Sequence, residues 1–98
     1  MSKLSADEQI LDWLRKKGSI TIEKNDEYYV VIDYVKSKFI YRFGDSEHGK
    51  DTEVKEMHEV EILEYIRGYF VRKAQVIHQK KLRSSEEVWN YIQENPNI

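Results

Sequence analysis

Three features of the chain predict an α+β fold built around an antiparallel meander. Glu27–Phe43, EYYVVIDYVKSKFIYRF, is apolar, β-branched or aromatic on both phases of a strand alternation, which is the pattern of strands buried on both faces. A short, capped helical pattern precedes it. From Val60 onward the apolar period becomes helical. The expected architecture is a three-stranded meander with an optional short fourth strand. One helix comes before it, and a long helix and a short C-terminal helix follow. Its 98 residues are expected to form a single domain, 1–98.

Leu4–Lys17 is the first helix. Ser5 and Glu8 make a Ser-x-x-Glu capping box, and Ile10, Leu11, Trp13 and Leu14 form one apolar face. Arg15, Lys16 and Lys17 lie where the helix dipole favours cations, and Gly18 terminates the helix. Ser19–Lys24 then alternates as a strand, and Asn25-Asp26 reads as a two-residue hairpin turn. That turn sets Ile22 opposite Tyr29 and Ile20 opposite Val31. A second tight turn at Ser37-Lys38 sets Asp33 opposite Arg42, Val35 opposite Ile40 and Tyr34 opposite Tyr41. The opposed charges of Asp33 and Arg42 favour this register.

In that arrangement Ile20, Ile22, Tyr29, Val31, Val35 and Ile40 share one face with the Asp33–Arg42 pair. Tyr28, Val30, Ile32, Tyr34, Phe39, Tyr41 and Phe43 share the other. Both faces are apolar enough to require a cover of helices or of a partner chain.

Gly44–Asp51 reads as a polar loop. Thr52–Met57 is either a short fourth strand, with His58 near the start of a helix, or the opening of one helix from Thr52 to Leu82. That single helix would be about 45 Å long. Glu53, Glu56, Glu59, Glu61 and Glu64 come first and the cations last, the order a helix dipole rewards. Gly68 interrupts the pattern and marks a kink point. Ser84 with Glu87 caps a final helix carrying Val88, Trp89, Tyr91 and Ile92, which Pro96 ends. The expected core includes Val30, Val31, Ile32, Ile62, Ile66 and Phe70.

Composition narrows the function. There is no Cys, which removes disulfides, thiol catalysis and Cys-ligated zinc and fits a reducing compartment. No apolar run approaches the roughly 20 residues of a membrane span. The opening MSKLSADEQ lacks the apolar core of a signal peptide, so a cytoplasmic location is expected. A net charge of −2 argues against a generic DNA coat and against an acidic DNA mimic.

Glu8–Glu23, EQILDWLRKKGSITIE, resembles the opening helix and first strand of a winged helix-turn-helix domain. The resemblance covers about a sixth of the chain. It ends at Asn25-Asp26, where that family places its second and recognition helices and this chain starts a strand. Asp45, Glu47, His48, Asp51 and Glu56 have a spacing similar to an EF-hand loop. Lys50, however, occupies the sixth position, where that loop needs glycine.

The histidines His48, His58 and His78 are scattered, and the four glycines make no phosphate-binding pattern. Ser46 has no Gly-x-Ser-x-Gly setting. No enzyme activity, cofactor, metal or small-molecule substrate is therefore expected.

Two candidate surfaces remain. Arg67, Arg72, Lys73, Lys80, Lys81 and Arg83, interleaved with Tyr69 and Phe70, are candidate nucleic-acid contacts. Tyr28, Tyr34, Tyr41, Tyr69 and Trp89 are candidate protein contacts, because the chain offers more apolar surface than a small monomer readily hides. The first expectation is a non-enzymatic protein-interaction module, a regulator or inhibitor that forms a homodimer. The alternative is a nucleic-acid-binding regulator.

Overall fold

The computed structural model describes residues 4–95, and Pro96 lies outside them. The order is α1 (Ala6–Lys17), β1 (Ser19–Lys24), β2 (Tyr28–Val35), β3 (Lys38–Asp45), β4 (Lys50–Met57), α2 (Glu59–His78) and α3 (Ser85–Glu94). The fold is α+β, and the meander has four antiparallel strands in the order β1-β2-β3-β4. The residues form two compact units: 4–13 with 60–95, and Leu14–Glu59.

The sheet unit begins within the last turn of α1, at Leu14. Gly18 takes a left-handed φ of 73°, and its N–H donates to the Leu14 carbonyl. Glycine is the residue that adopts this geometry without strain, so the chain turns from helix into β1 here. The β1–β2 loop is longer than a two-residue turn. Asn25 Oδ1 accepts from the backbone N–H groups of Glu27 and Tyr28 at 2.8 and 2.9 Å, and Lys24 pairs with Tyr29.

A bulge between Thr21 and Glu23 then shifts the register, so that Ile20 lies opposite Ile32 and Thr21 opposite Val31. This corrects the expected pairing. Ile20 shares its face with Val30 and Ile32 rather than with Val31, because one extra residue reverses the phase of the strand beyond it.

The β2–β3 turn sits at Lys36-Ser37, one residue before the expected position. Both residues have positive φ, 51° and 65°, as a tight hairpin turn of the primed type demands. Asp33 therefore opposes Ile40, and Arg42 opposes Val31. The Asp33–Arg42 ion pair exists, at 2.8 Å, but as a diagonal contact.

The expected Gly44–Asp51 loop shrinks to Ser46–Gly49, because its ends pair as strand: Gly44 with Asp51 and Asp45 with Lys50. The reading of one helix from Thr52 is likewise overturned. Glu53–Met57 pairs with β3, and α2 starts only at Glu59.

One sheet face holds the buried Ile20, Val30, Ile32 and Phe39. The opposite face is not the closed apolar layer that was expected. Val31 is buried there, but Val35 and Val54 are about half exposed, and charged groups lie between them.

The helical unit carries its own buried set: Ile10, Leu11, Ile62, Ile66, Phe70, Ala74, Leu82, Val88, Tyr91 and Ile92. Ile62, Ile66, Phe70 and Ala74 repeat every fourth residue, which is one face of α2. Helix α2 is continuous through Gly68. It ends with Gln79 at φ 52°, where the N–H groups of Gln79 and Lys80 donate to the carbonyls of Gln75 and Ala74. Ser84 caps α3 through the N–H of Glu87 at 3.3 Å, as the capping box predicts. All six residues expected in the core are buried.

Candidate functional site

The most organised polar group is on the half-open sheet face. Tyr29 from β2, Arg42 from β3 and Asp51 from β4 project from neighbouring strands, with Asp33 one diagonal step away. The Tyr29 hydroxyl donates to Asp51 Oδ1 at 2.5 Å, and Arg42 Nε donates to Asp33 Oδ2 at 2.8 Å. The same guanidinium reaches Asp51 at 3.3 Å.

These contacts set the protonation states. The hydroxyl of Tyr29, then Arg42, holds the Asp51 carboxyl below its ordinary value. Hydrogen bonding to that carboxylate pushes Tyr29 up. The bond to Asp33 raises Arg42 further. One cation thus lies between two carboxylates, so the ladder ties β2, β3 and β4 together rather than presenting free charge.

Gly44 makes the arrangement fit. It pairs with Tyr29, and a Cβ on it would overlap the Tyr29 ring. The ring covers the glycine and carries its hydroxyl across to β4, an aromatic partner filling the space a glycine leaves in a strand. Beside it, Thr21, Lys24, Tyr29, Val31, Arg42, Ser46 and Gly49 line a shallow cleft of about 230 Å³. At the β3–β4 turn, Asp45, Glu47 and His48 bring ligand atoms within 4.8 Å of one another. His48 Nδ1 lies 2.6 Å from Asp45, and this contact lowers the Asp45 carboxyl. All three side chains are at least partly exposed, and the cluster reads as a solvated turn.

The expected protein contacts do not gather into one patch. Tyr28, Tyr34 and Tyr41 share the sheet face of Val30 and Ile32, and each is already engaged. Tyr28 stacks on Phe43 and donates to Glu23 at 2.9 Å. Tyr34 meets Phe39 and Arg15, and Lys55 lies over Tyr41. In the helical unit, Tyr69 packs edge-on to Phe70 with Lys73 over its ring, and Trp89 meets Trp13 edge-on at 6.4 Å. The apolar side chains that do reach solvent are different ones: Leu4, Val35, Val54, Val60, Val76 and Ile77. Sequence periodicity missed them because valine and isoleucine in a strand or helix are read as core.

The basic set is also divided. Arg67 pairs with Asp7 and donates to Ser85, and Lys80 pairs with Glu94. Arg72, Lys81 and Arg83 are exposed, and Lys73 is half-buried. No helix among the described residues is long and apolar enough to cross a membrane. No protein-family model, curated protein or solved structure matches the chain.

Proposed function

We propose that this chain is a small non-enzymatic protein-interaction module, a regulator or inhibitor of a protein partner that also associates with itself. The observation that carries the reading is the exposed apolar surface. Val76 and Ile77 are adjacent at the end of α2 and are 80% and 59% exposed. Single exposed apolar residues need no explanation, but an adjacent pair one helical turn beyond Arg72 and Lys73 fits an acidic, partly apolar partner surface.

Affinity capture from native lysate, with wild type and a Val76→Asp/Ile77→Asp variant run side by side, tests the partner half. A protein held by wild type and lost by the folded variant supports it, and an identical captured set refutes it. Light scattering on the eluting peak tests self-association, which a strict monomer at high micromolar concentration removes.

The alternative, a nucleic-acid-binding regulator, draws on exposed Arg72, Lys81 and Arg83. The ion pairs of Arg67 and Lys80 weaken it, because a cation already paired with a carboxylate gains less from a phosphate. Absence of retention on heparin at low salt rules it out.

A further inference from the structure

We propose that the outer edge of β4 is the homodimer interface, pairing antiparallel with the same strand of a second copy on a two-fold axis at Val54. The proposal rests on the self-association read above and names its geometry. Strand β4 is last in the sheet, and its outer edge has no strand partner among the described residues. Seven of its eight residues are exposed, and Met57 is half-buried. The other edge strand, β1, is interrupted by its bulge, a common device for blunting an edge. In β4 the register is regular from Glu53 to Met57, and the bulge lies before it.

Charged edges normally repel a second strand, so the pattern of signs decides. The strand reads Lys50-Asp51-Thr52-Glu53-Val54-Lys55-Glu56-Met57. Antiparallel self-pairings that engage more than half of it can be taken one by one. Centring on Thr52 opposes Asp51 to Glu53, and centring between Thr52 and Glu53 opposes Lys50 to Lys55. Centring on Glu53 sets it against itself, and centring between Glu53 and Val54 opposes Asp51 to Glu56. Centring between Val54 and Lys55 opposes Glu53 to Glu56, and centring on Lys55 sets it against itself.

Only the pairing centred on Val54 opposes no like charges. It places Glu53 of each copy against Lys55 of the other, twice over by symmetry. On one face these join the Glu53–Lys55 pair already present within each strand at 3.6 Å into a four-charge cluster. On the other face, Val54, 57% exposed, meets its own copy. The two sheets then continue into one another across the axis, and the backbone groups of both edges are satisfied.

Sedimentation of the full chain over a low-to-high micromolar series tests this with a charge swap. Glu53→Lys and Lys55→Glu singly turn two attractive cross-strand pairs into repulsive ones, so each should weaken the dimer about tenfold or more. The double variant Glu53→Lys/Lys55→Glu restores every opposition with its sign reversed and should return the dimer to within about threefold of wild type. Glu53 and Lys55 side chains are about half exposed, at 53% and 52%, so the monomer fold should survive, which circular dichroism checks.

A monomeric wild type overturns the proposal and the self-association reading together. A dimeric wild type unaffected by the single changes overturns the interface alone. Single changes that weaken the dimer without rescue by the double variant overturn the Val54-centred register.

Discussion

Truncating Phe70 to alanine should be among the most damaging single changes in the helical unit. Phe70 is fully buried and lies in the unbroken stripe of Ile62, Ile66 and Ala74 on α2. It meets Tyr91 of α3 edge-on at 6.1 Å, and Tyr69 beside it at 5.2 Å. A buried aromatic removes roughly 150–250 Å² from water. At about 25 cal/mol per Å² that is roughly 4–6 kcal/mol, part of which alanine retains. Losing the edge contact costs about 0.5–1.5 kcal/mol more, and incomplete collapse of the hole holds the total near the ~3–5 kcal/mol of aromatic truncations.

A domain of this size loses roughly 4–8 °C of melting temperature per kcal/mol, so Phe70→Ala should melt at least about 12 °C lower. The volume-sparing Phe70→Leu should lose much less. The assay is a thermal melt by circular dichroism at low protein concentration, so that dimer linkage does not mask the change. A melting temperature within about a degree of wild type would refute the placement of this core.

Gln79→Gly should stabilise the chain by about 0.5–1 kcal/mol, because Gln79 terminates α2 at φ 52°, where a side chain is strained and glycine is not. A denaturation midpoint that rises at unchanged slope checks it. Tyr29→Phe removes the hydroxyl that chiefly holds the Asp51 carboxyl low, so the Asp51 titration midpoint should rise toward the ordinary carboxylate value, read by NMR on the side-chain carbonyl. Stability from that depressed carboxyl is present above its unfolded value and lost as pH falls through the folded one, so the variant should lose less stability on acidification. Gly44→Ala displaces the same ring and should shift Asp51 in the same direction. An unmoved midpoint in Gly44→Ala would show that the ring does not lie over the glycine.

The elements legible in the sequence were those with local chemical signatures. Ser5 and Ser84 both cap as their Ser-x-x-Glu spacing foretold, with Glu8 and Glu87 donating backbone N–H groups to the serine oxygens. Gly18 ends α1 in the conformation its identity allows. Strand β4 was harder to read because Lys50–Met57 has a single valine and no buried face, so no alternation of apolar and polar residues marks it. What makes it a strand is pairing with β3, and pairing is not a property of the strand's own residues. The Tyr29–Gly44 fit was hidden for the same reason. A glycine at one place and a tyrosine fifteen positions earlier become a motif only when the register sets them side by side.

The two hairpins show how unequal register errors are. In β2–β3 the expected turn was misplaced by one residue, which moves the pairing by two. Every side chain stayed on its face, and even the Asp33–Arg42 ion pair survived, because an arginine reaches a diagonal neighbour as readily as a direct one. The charge pair was therefore sound evidence that the strands meet and poor evidence for which residues oppose. In β1–β2 the bulge moved the pairing beyond it by a single residue, and that reversed the face of Ile20. Burying Ile20 beside Val30 and Ile32 leaves Thr21 beside Val31 and Arg42 on the half-open face. The bulge is thus what frees that face of two isoleucines and leaves room for the Tyr29–Arg42–Asp51 ladder. Deleting Ile22 would remove only the extra residue: Glu23 would still oppose Val30, Thr21 Val31 and Ile20 Ile32, so Ile20 would keep its buried face and the ladder's face would stay open.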